Sequence, residues 1–157
     1  MKFMVRESCM EDADYIGNNL RRADLMELRA LEGKDIAPSE VLKKGINDSL
    51  DPKTGLFNGR PALIAGVVPD SEDETIGYIW MMGTNDIFDH KITFLRESRP
   101  WLDRLMKPFR AVSNCVDKRN TLHVKWLKWM GFCFINEVTN KGPEGVSFYE
   151  FIKLSDV

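Results

Sequence analysis

Ala62-Leu63-Ile64-Ala65-Gly66-Val67-Val68, closed by Pro69, is followed by the acidic loop Asp70-Ser71-Glu72-Asp73-Glu74 and then by Ile76-Gly77-Tyr78-Ile79-Trp80-Met81-Met82. Each apolar run is the length of a strand, far below the roughly 18–20 residues that a membrane-spanning helix needs. Nearly every position in both runs is apolar, so neither presents a face to water. The polar loop predicts that the two strands are antiparallel neighbours. Burial on both faces predicts helices above and below, and the flanking sequence has to supply them.

It does so on both sides. Phe3–Glu7 has strand composition, and Ser8 with Glu11 three residues later reads as a capping box. Ala13, Ile16 and Leu20 keep helical spacing, Leu25, Leu28 and Leu31 continue it to Gly33, and Pro38 opens a third helix through Val41, Leu42 and Ile46. Asp51–Gly55 reads as a turn, Leu56-Phe57 as a short strand and Asn58-Gly59 as a hairpin. Downstream, Asp86–Phe109 is helical in character, and Pro100 predicts two segments meeting at Arg99-Pro100. Ala111–Val116 is the next strand. Asn120 then caps a helix with an apolar stripe of Leu122, Trp126, Trp129 and Met130, ended by Gly131. Cys133–Val138 and Val146–Ile152 form a closing hairpin. The expected fold class is α/β (α+β), a mostly antiparallel sheet of about six or seven strands flanked by helices, in one domain spanning residues 1–157.

The bulk numbers agree with a globule. Of 157 residues, 43% are hydrophobic and 29% charged, too apolar for disorder. The formal charge of −2 excludes a generally basic nucleic-acid coat. Cys9, Cys115 and Cys133 are odd in number with no CxxC pair, and only His90 and His123 offer imidazole. That excludes a disulfide framework and a zinc site, and together with the absence of a secretory apolar core behind Lys2 it predicts a cytoplasmic protein.

Charge is uneven, however. Residues 1–78 carry ten basic and fifteen acidic side chains, and the basic excess gathers between Arg96 and Lys128. A solvated helix face is the plain explanation. An anion-binding face for phosphate, nucleic acid or an acidic protein is the alternative, with nucleic acid ranked last. Trp126 and Trp129 read as core, and Trp101, between Arg99 and Arg104, as an exposed protein-contact anchor. Cys115 reads as an inert buried thiol.

The order of elements resembles the GNAT superfamily of N-acyltransferases. Asn120 through Phe132, N-T-L-H-V-K-W-L-K-W-M-G-F, is similar in spacing to the GNAT pattern N-x-x-A-x-x-x-Y-x-x-x-G-F. Asn120-Thr121-Leu122-His123 with Trp126-Leu127-Lys128 and Gly131 also resembles a small GNAT-like family of short-tailed bacteriophages that includes an internal virion (core) protein. The superfamily resemblance implies that the strands Ile76–Met82 and Ala111–Val116 run parallel and splay apart, leaving main-chain groups to bind the pantetheine arm of acetyl-CoA. Met81, Met82, Gly83, Asn114 and Asn120 are the implied cofactor contacts, and Glu74, Asp86 and His123 the implied catalytic candidates. Asn120 is also explained locally as a cap, and His123 as a hydrogen-bonded helix residue.

Three departures bear on activity. The phosphate loop Q/R-x-x-G-x-G/A is replaced by Met82-Gly83-Thr84-Asn85-Asp86-Ile87, Leu127 stands where the family has its proton-donating Tyr, and Ile76–Met82 carries no carboxylate. The leading expectation is therefore a phage-encoded GNAT-fold protein with a degenerate acetyl-CoA site, virion-associated or binding other phage or host proteins. The alternative is an active N-acyltransferase moving an acetyl group from acetyl-CoA to an amine.

Overall fold

Asn58 and Gly59 take φ angles of 50° and 79°, the left-handed pair that a two-residue hairpin requires. In the computed structural model, which describes residues 2–155, this turn joins β2 (Leu50–Phe57) to β3 (Arg60–Pro69). Ahead of it come β1 (Phe3–Glu7), α1 (Met10–Asn18), α2 (Arg22–Glu32) and α3 (Pro38–Asp48). After it come β4 (Ile76–Gly83), α4 (Asp86–Asp89), α5 (Lys91–Met106), β5 (Ala111–Asp117), α6 (Thr121–Trp129), β6 (Cys133–Lys141) and β7 (Val146–Leu154). The seven strands form one sheet in the order β1-β2-β3-β4-β5-β7-β6, and the β4–β5 pair alone is parallel.

The doubly apolar runs are covered as expected. On one face Ile64 and Met82 pack with Ala13, Ile16, Leu28, Leu42 and Ile46 from α1, α2 and α3. On the other, Val67, Ile79, Val112 and Val116 pack with Leu102, Met106, Val124 and Leu127 from α5 and α6. Close packing at the centre leaves no room for a side chain at Gly77, where an added Cβ would collide with Val67 and the Phe109 ring.

Five local expectations are corrected. Cys9, not Ser8, caps α1: the Asp12 carboxylate accepts the Cys9 amide at 3.1 Å. Asp12 is itself anchored by Arg6 and Thr54, at 2.7 and 2.8 Å, which moves the helix start one residue along. Asp51–Gly55 belongs to β2, with a register shift between Leu50 and Lys53 and a positive φ at Asp51 absorbing the Asp-Pro step. Pro100 lies inside an unbroken α5, because Arg96, four residues earlier, is exposed and water can take the carbonyl that Pro100 leaves free. The break falls instead at His90, between α4 and α5. Finally, the buried side of α6 is His123, Val124 and Leu127, while Leu122 and Trp129 are 42% and 44% exposed. Trp101 is half-buried, with Arg104 over its ring at 4.5 Å.

Candidate functional site

β4 and β5 share three rungs, Ile76 with Ala111, Gly77 with Val112 and Tyr78 with Ser113. Beyond them β4 stays paired to β3 as far as Gly83, and β5 to β7 as far as Asp117. The two halves of the sheet therefore diverge and a wedge opens between them. Main-chain groups alternate sides along a strand, so Ile79, Met81 and Gly83 turn theirs toward the wedge. Asn114 bridges the apex, its side-chain amide donating to the Ile79 carbonyl at 2.8 Å.

The open end is closed by α2. The Arg21 amide donates to the Gly83 carbonyl at 2.9 Å, and the Gly83 amide donates to the Asp24 carboxylate at 3.1 Å. Across the wedge, the Asp117 amide donates to Glu27 at 2.9 Å. Asn120 joins the two sides, accepting from the Arg21 guanidinium at 3.0 Å and donating to Asp24 at 3.3 Å. Arg21, Asp24, Glu27, Asp117, Asn120 and His123 are all buried. The result is a polar latch that ties the diverging strand ends to one helix.

Burial governs the charges there. It pushes the Glu27 carboxyl up to about 8, against the Asp117 amide that favours its anion, and the neighbouring Asp24 and Asp117 charges add to the rise. Burial raises Asp24 as well, opposed by the Arg21 charge. It lowers His123 to about 3, helped by Arg21, so the ring is neutral at physiological pH. Arg21 Nε and His123 Nδ1 are buried without a hydrogen-bond partner among the described residues. A cavity of about 310 Å³ reaches the wedge, with Glu27, Met81, Met82, Asn114, Cys115 and His123 in its lining.

The residues singled out in the sequence are scattered over this arrangement. Asn114, Met81 and His123 meet at the wedge, and Gly83 and Asn120 meet in the latch. Asn120 starts α6 but makes no side-chain cap bond, since its amide is drawn into the Arg21–Asp24 pair. Met82 sends its side chain into the α1–α3 core. Glu74 is exposed just before β4, at the paired end of the strand rather than the splayed one. Asp86 is held in a two-pronged ion pair by Arg60, at 2.8 and 2.9 Å. Cys115 is half-buried with its thiol pushed up by burial. Part of the basic run is neutralised locally, Lys118 by Glu137 and Arg119 by Asp117, each at 2.7 Å. Sequence reasoning missed Arg21, Asp24 and Glu27. Their three-residue spacing along one helix was the available signal, because it puts three ionisable groups beside the buried Leu28.

The strand edge and the phosphate end of an acetyl-CoA site fare differently. Met81 keeps its main-chain edge toward the wedge, but Ile79 and Gly83 on either side are engaged by Asn114, Asp24 and Arg21. In the turn after β4 the amides of Asp86, Ile87, Phe88, Asp89 and His90 all bond within the chain, to Thr84, Asn85 and Asp86. A pyrophosphate finds no open amide among these five, and it meets the carboxylate of Asp86 beside them. The residues present do not fit the coenzyme's phosphates in the way the GNAT pattern provides for.

A seven-stranded sheet in this order with a splayed parallel β4–β5 pair is the GNAT fold. Solved structures agree: a GNAT-family acetyltransferase from Streptococcus pneumoniae matches with a TM-score of 0.65 and 19% identity, covering 99% of this chain and 100% of its own. Ard1 from Thermoplasma volcanium matches with a TM-score of 0.76 and 11% identity over 100% of both chains. A phosphinothricin acetyltransferase from Sinorhizobium meliloti, solved in complex with acetyl-CoA, gives a TM-score of 0.73 and 12% identity over 99% of this chain and 90% of its own. At these identities the likeness is one of fold. No family model matches the sequence, and no curated protein matches it. Among the described residues no helix is long and apolar enough to cross a membrane.

Proposed function

We propose that this chain is a GNAT-fold binding protein in which the acetyl-CoA cleft has become structural. In this reading it is a phage-encoded factor that is virion-associated or binds a host protein. The latch carries the proposal. Asp24 and Arg21 engage Gly83, and the side chain of Asn120 is held between them, so groups that the GNAT resemblance assigns to the coenzyme hold the fold together instead. Leu127, at the position of the proton-donating Tyr, is 2% exposed within the α5–α6 core, which fits the same reading. The phage and virion connection is supported by the resemblance of Asn120-Thr121-Leu122-His123 with Trp126-Leu127-Lys128 and Gly131. Titration calorimetry with acetyl-CoA tests the reading: it expects no saturable heat at millimolar ligand, and micromolar binding overturns it.

A second reading, acetyl transfer from acetyl-CoA to an amine, is favoured by one observation. Glu27 lines the wedge cavity with a carboxyl at about 8, near the value wanted for a base that takes a proton from an ammonium group. In that case thiol release with a panel of amines disappears in Glu27→Gln while the fold is retained. Absence of thiol release in the parent protein refutes it.

A further inference from the structure

A second cavity, of about 250 Å³, lies between α4–α5 and α6, with Met81 of β4 also in its lining. Its lining holds Arg21, Lys91 and Lys125 and no carboxylate. The two buried atoms that lack partners, Arg21 Nε and His123 Nδ1, both belong to residues that line it. Both atoms are shut off from solvent, so what the cavity offers an incoming carboxylate is the exposed ammonium groups of Lys91 on α5 and Lys125 on α6.

The rim points to the rest of the ligand. Phe88, Leu122 and Trp129 are 43%, 42% and 44% exposed around the opening. Clustered apolar side chains ringed by cations mark a surface that another molecule covers. Arg99 lies over the Trp129 ring at 4.0 Å and donates to its carbonyl at 2.7 Å, which fixes an aromatic–arginine pair of the kind that dominates protein interfaces. Arg21 lies similarly over Phe88 at 5.1 Å. These anchors are held in place before any partner arrives.

We infer that the groove between α4–α5 and α6 docks an acidic, apolar segment of another protein, with carboxylates against Lys91 and Lys125 and apolar side chains on Phe88, Leu122 and Trp129. Charge complementarity selects this occupant: Arg21 is paired with Asp24, but Lys91 and Lys125 stand in the lining with no carboxylate among the residues beside them there. The inference deepens the binding-protein reading and rests on it.

Fluorescence anisotropy with three labelled amphipathic peptides tests it, one of glutamate, leucine and alanine, and two with glutamine or lysine in place of glutamate. The glutamate peptide is expected to saturate and to weaken with added salt, with the glutamine peptide about tenfold weaker and the lysine peptide not binding. Lys91→Glu/Lys125→Glu, at two exposed positions, and Trp129→Ala are each expected to weaken the glutamate peptide by about tenfold while circular dichroism stays unchanged. Equal binding of glutamate and glutamine peptides, or indifference to the lysine reversals, overturns the inference. If neither the glutamate peptide nor acetyl-CoA binds, the inference falls and the binding-protein reading stands. If free coenzyme A displaces the peptide at micromolar concentration, the groove is a coenzyme channel and both fall.

Discussion

Replacing Glu27 by Gln stabilises the protein at neutral pH and leaves it nearly unchanged in mild acid. The folded carboxyl keeps its proton up to about 8, whereas its ordinary value is 4.5. Between these two values the native state binds more protons than the unfolded chain, so stability falls as pH rises. Integrating that difference gives a penalty of under about 1 kcal/mol at pH 5 and a ceiling of about 3 kcal/mol at pH 7. Gln copies the neutral acid in shape and still accepts from the Asp117 amide, so the variant escapes the penalty without losing the bond at 2.9 Å. Urea unfolding of parent and variant at several pH values measures the difference directly. A gap that widens from mild acid to neutrality and levels off near about pH 8 supports the assignment. A gap that stays constant across the range refutes the claim that Glu27 is buried as a neutral acid, and with it the second functional reading.

Three further expectations follow from the packing and the charges. Asp12 is buried, yet the bonds from Arg6, the Cys9 amide and Thr54 outweigh that burial and hold its carboxyl down at about 2. Its contribution is full above the ordinary value of 3.8 and fades as pH falls toward 2, so acid titration should cost the parent about 2 kcal/mol relative to Asp12→Asn. Arg21→Met leaves Asp24 buried without its cation and should destabilise by about 3–5 kcal/mol, with part recovered in Arg21→Met/Asp24→Asn; a double variant no better than the single one contradicts the latch. Gly77→Ala drives a methyl group into Val67 and the Phe109 ring, with an expected loss of about 1–3 kcal/mol by thermal unfolding.

The architecture was readable because it follows from periodicity. Two doubly apolar runs demand cover on both faces, and the helical spacing of Ile16, Leu28 and Leu42 and the helical character of Asp86–Phe109 supply it. Local errors arose where a long-range partner outweighed a local rule. Cys9 and Asp12 form the box at the start of α1 in place of Ser8 and Glu11 because Arg6 and Thr54 hold Asp12, and Asn120 leaves its cap role because Arg21 and Asp24 draw its amide inward. The shifted face of α6 has a similar origin: Leu122 and Trp129 project beside the groove that α4 and α5 leave open.

The amino-acid order alone determined the strand and helix succession, the paired central strands and the GNAT resemblance, since each depends on neighbours within a few residues. The wedge, the latch and the basic groove were decided by tertiary structure. Arg21, Asp24 and Glu27 lie about a hundred residues from Asn120 and Asp117, and nothing in their local sequence names those partners. Burial turns them into structure: once water is removed, each charge and amide has to find a partner in whatever the fold brings near.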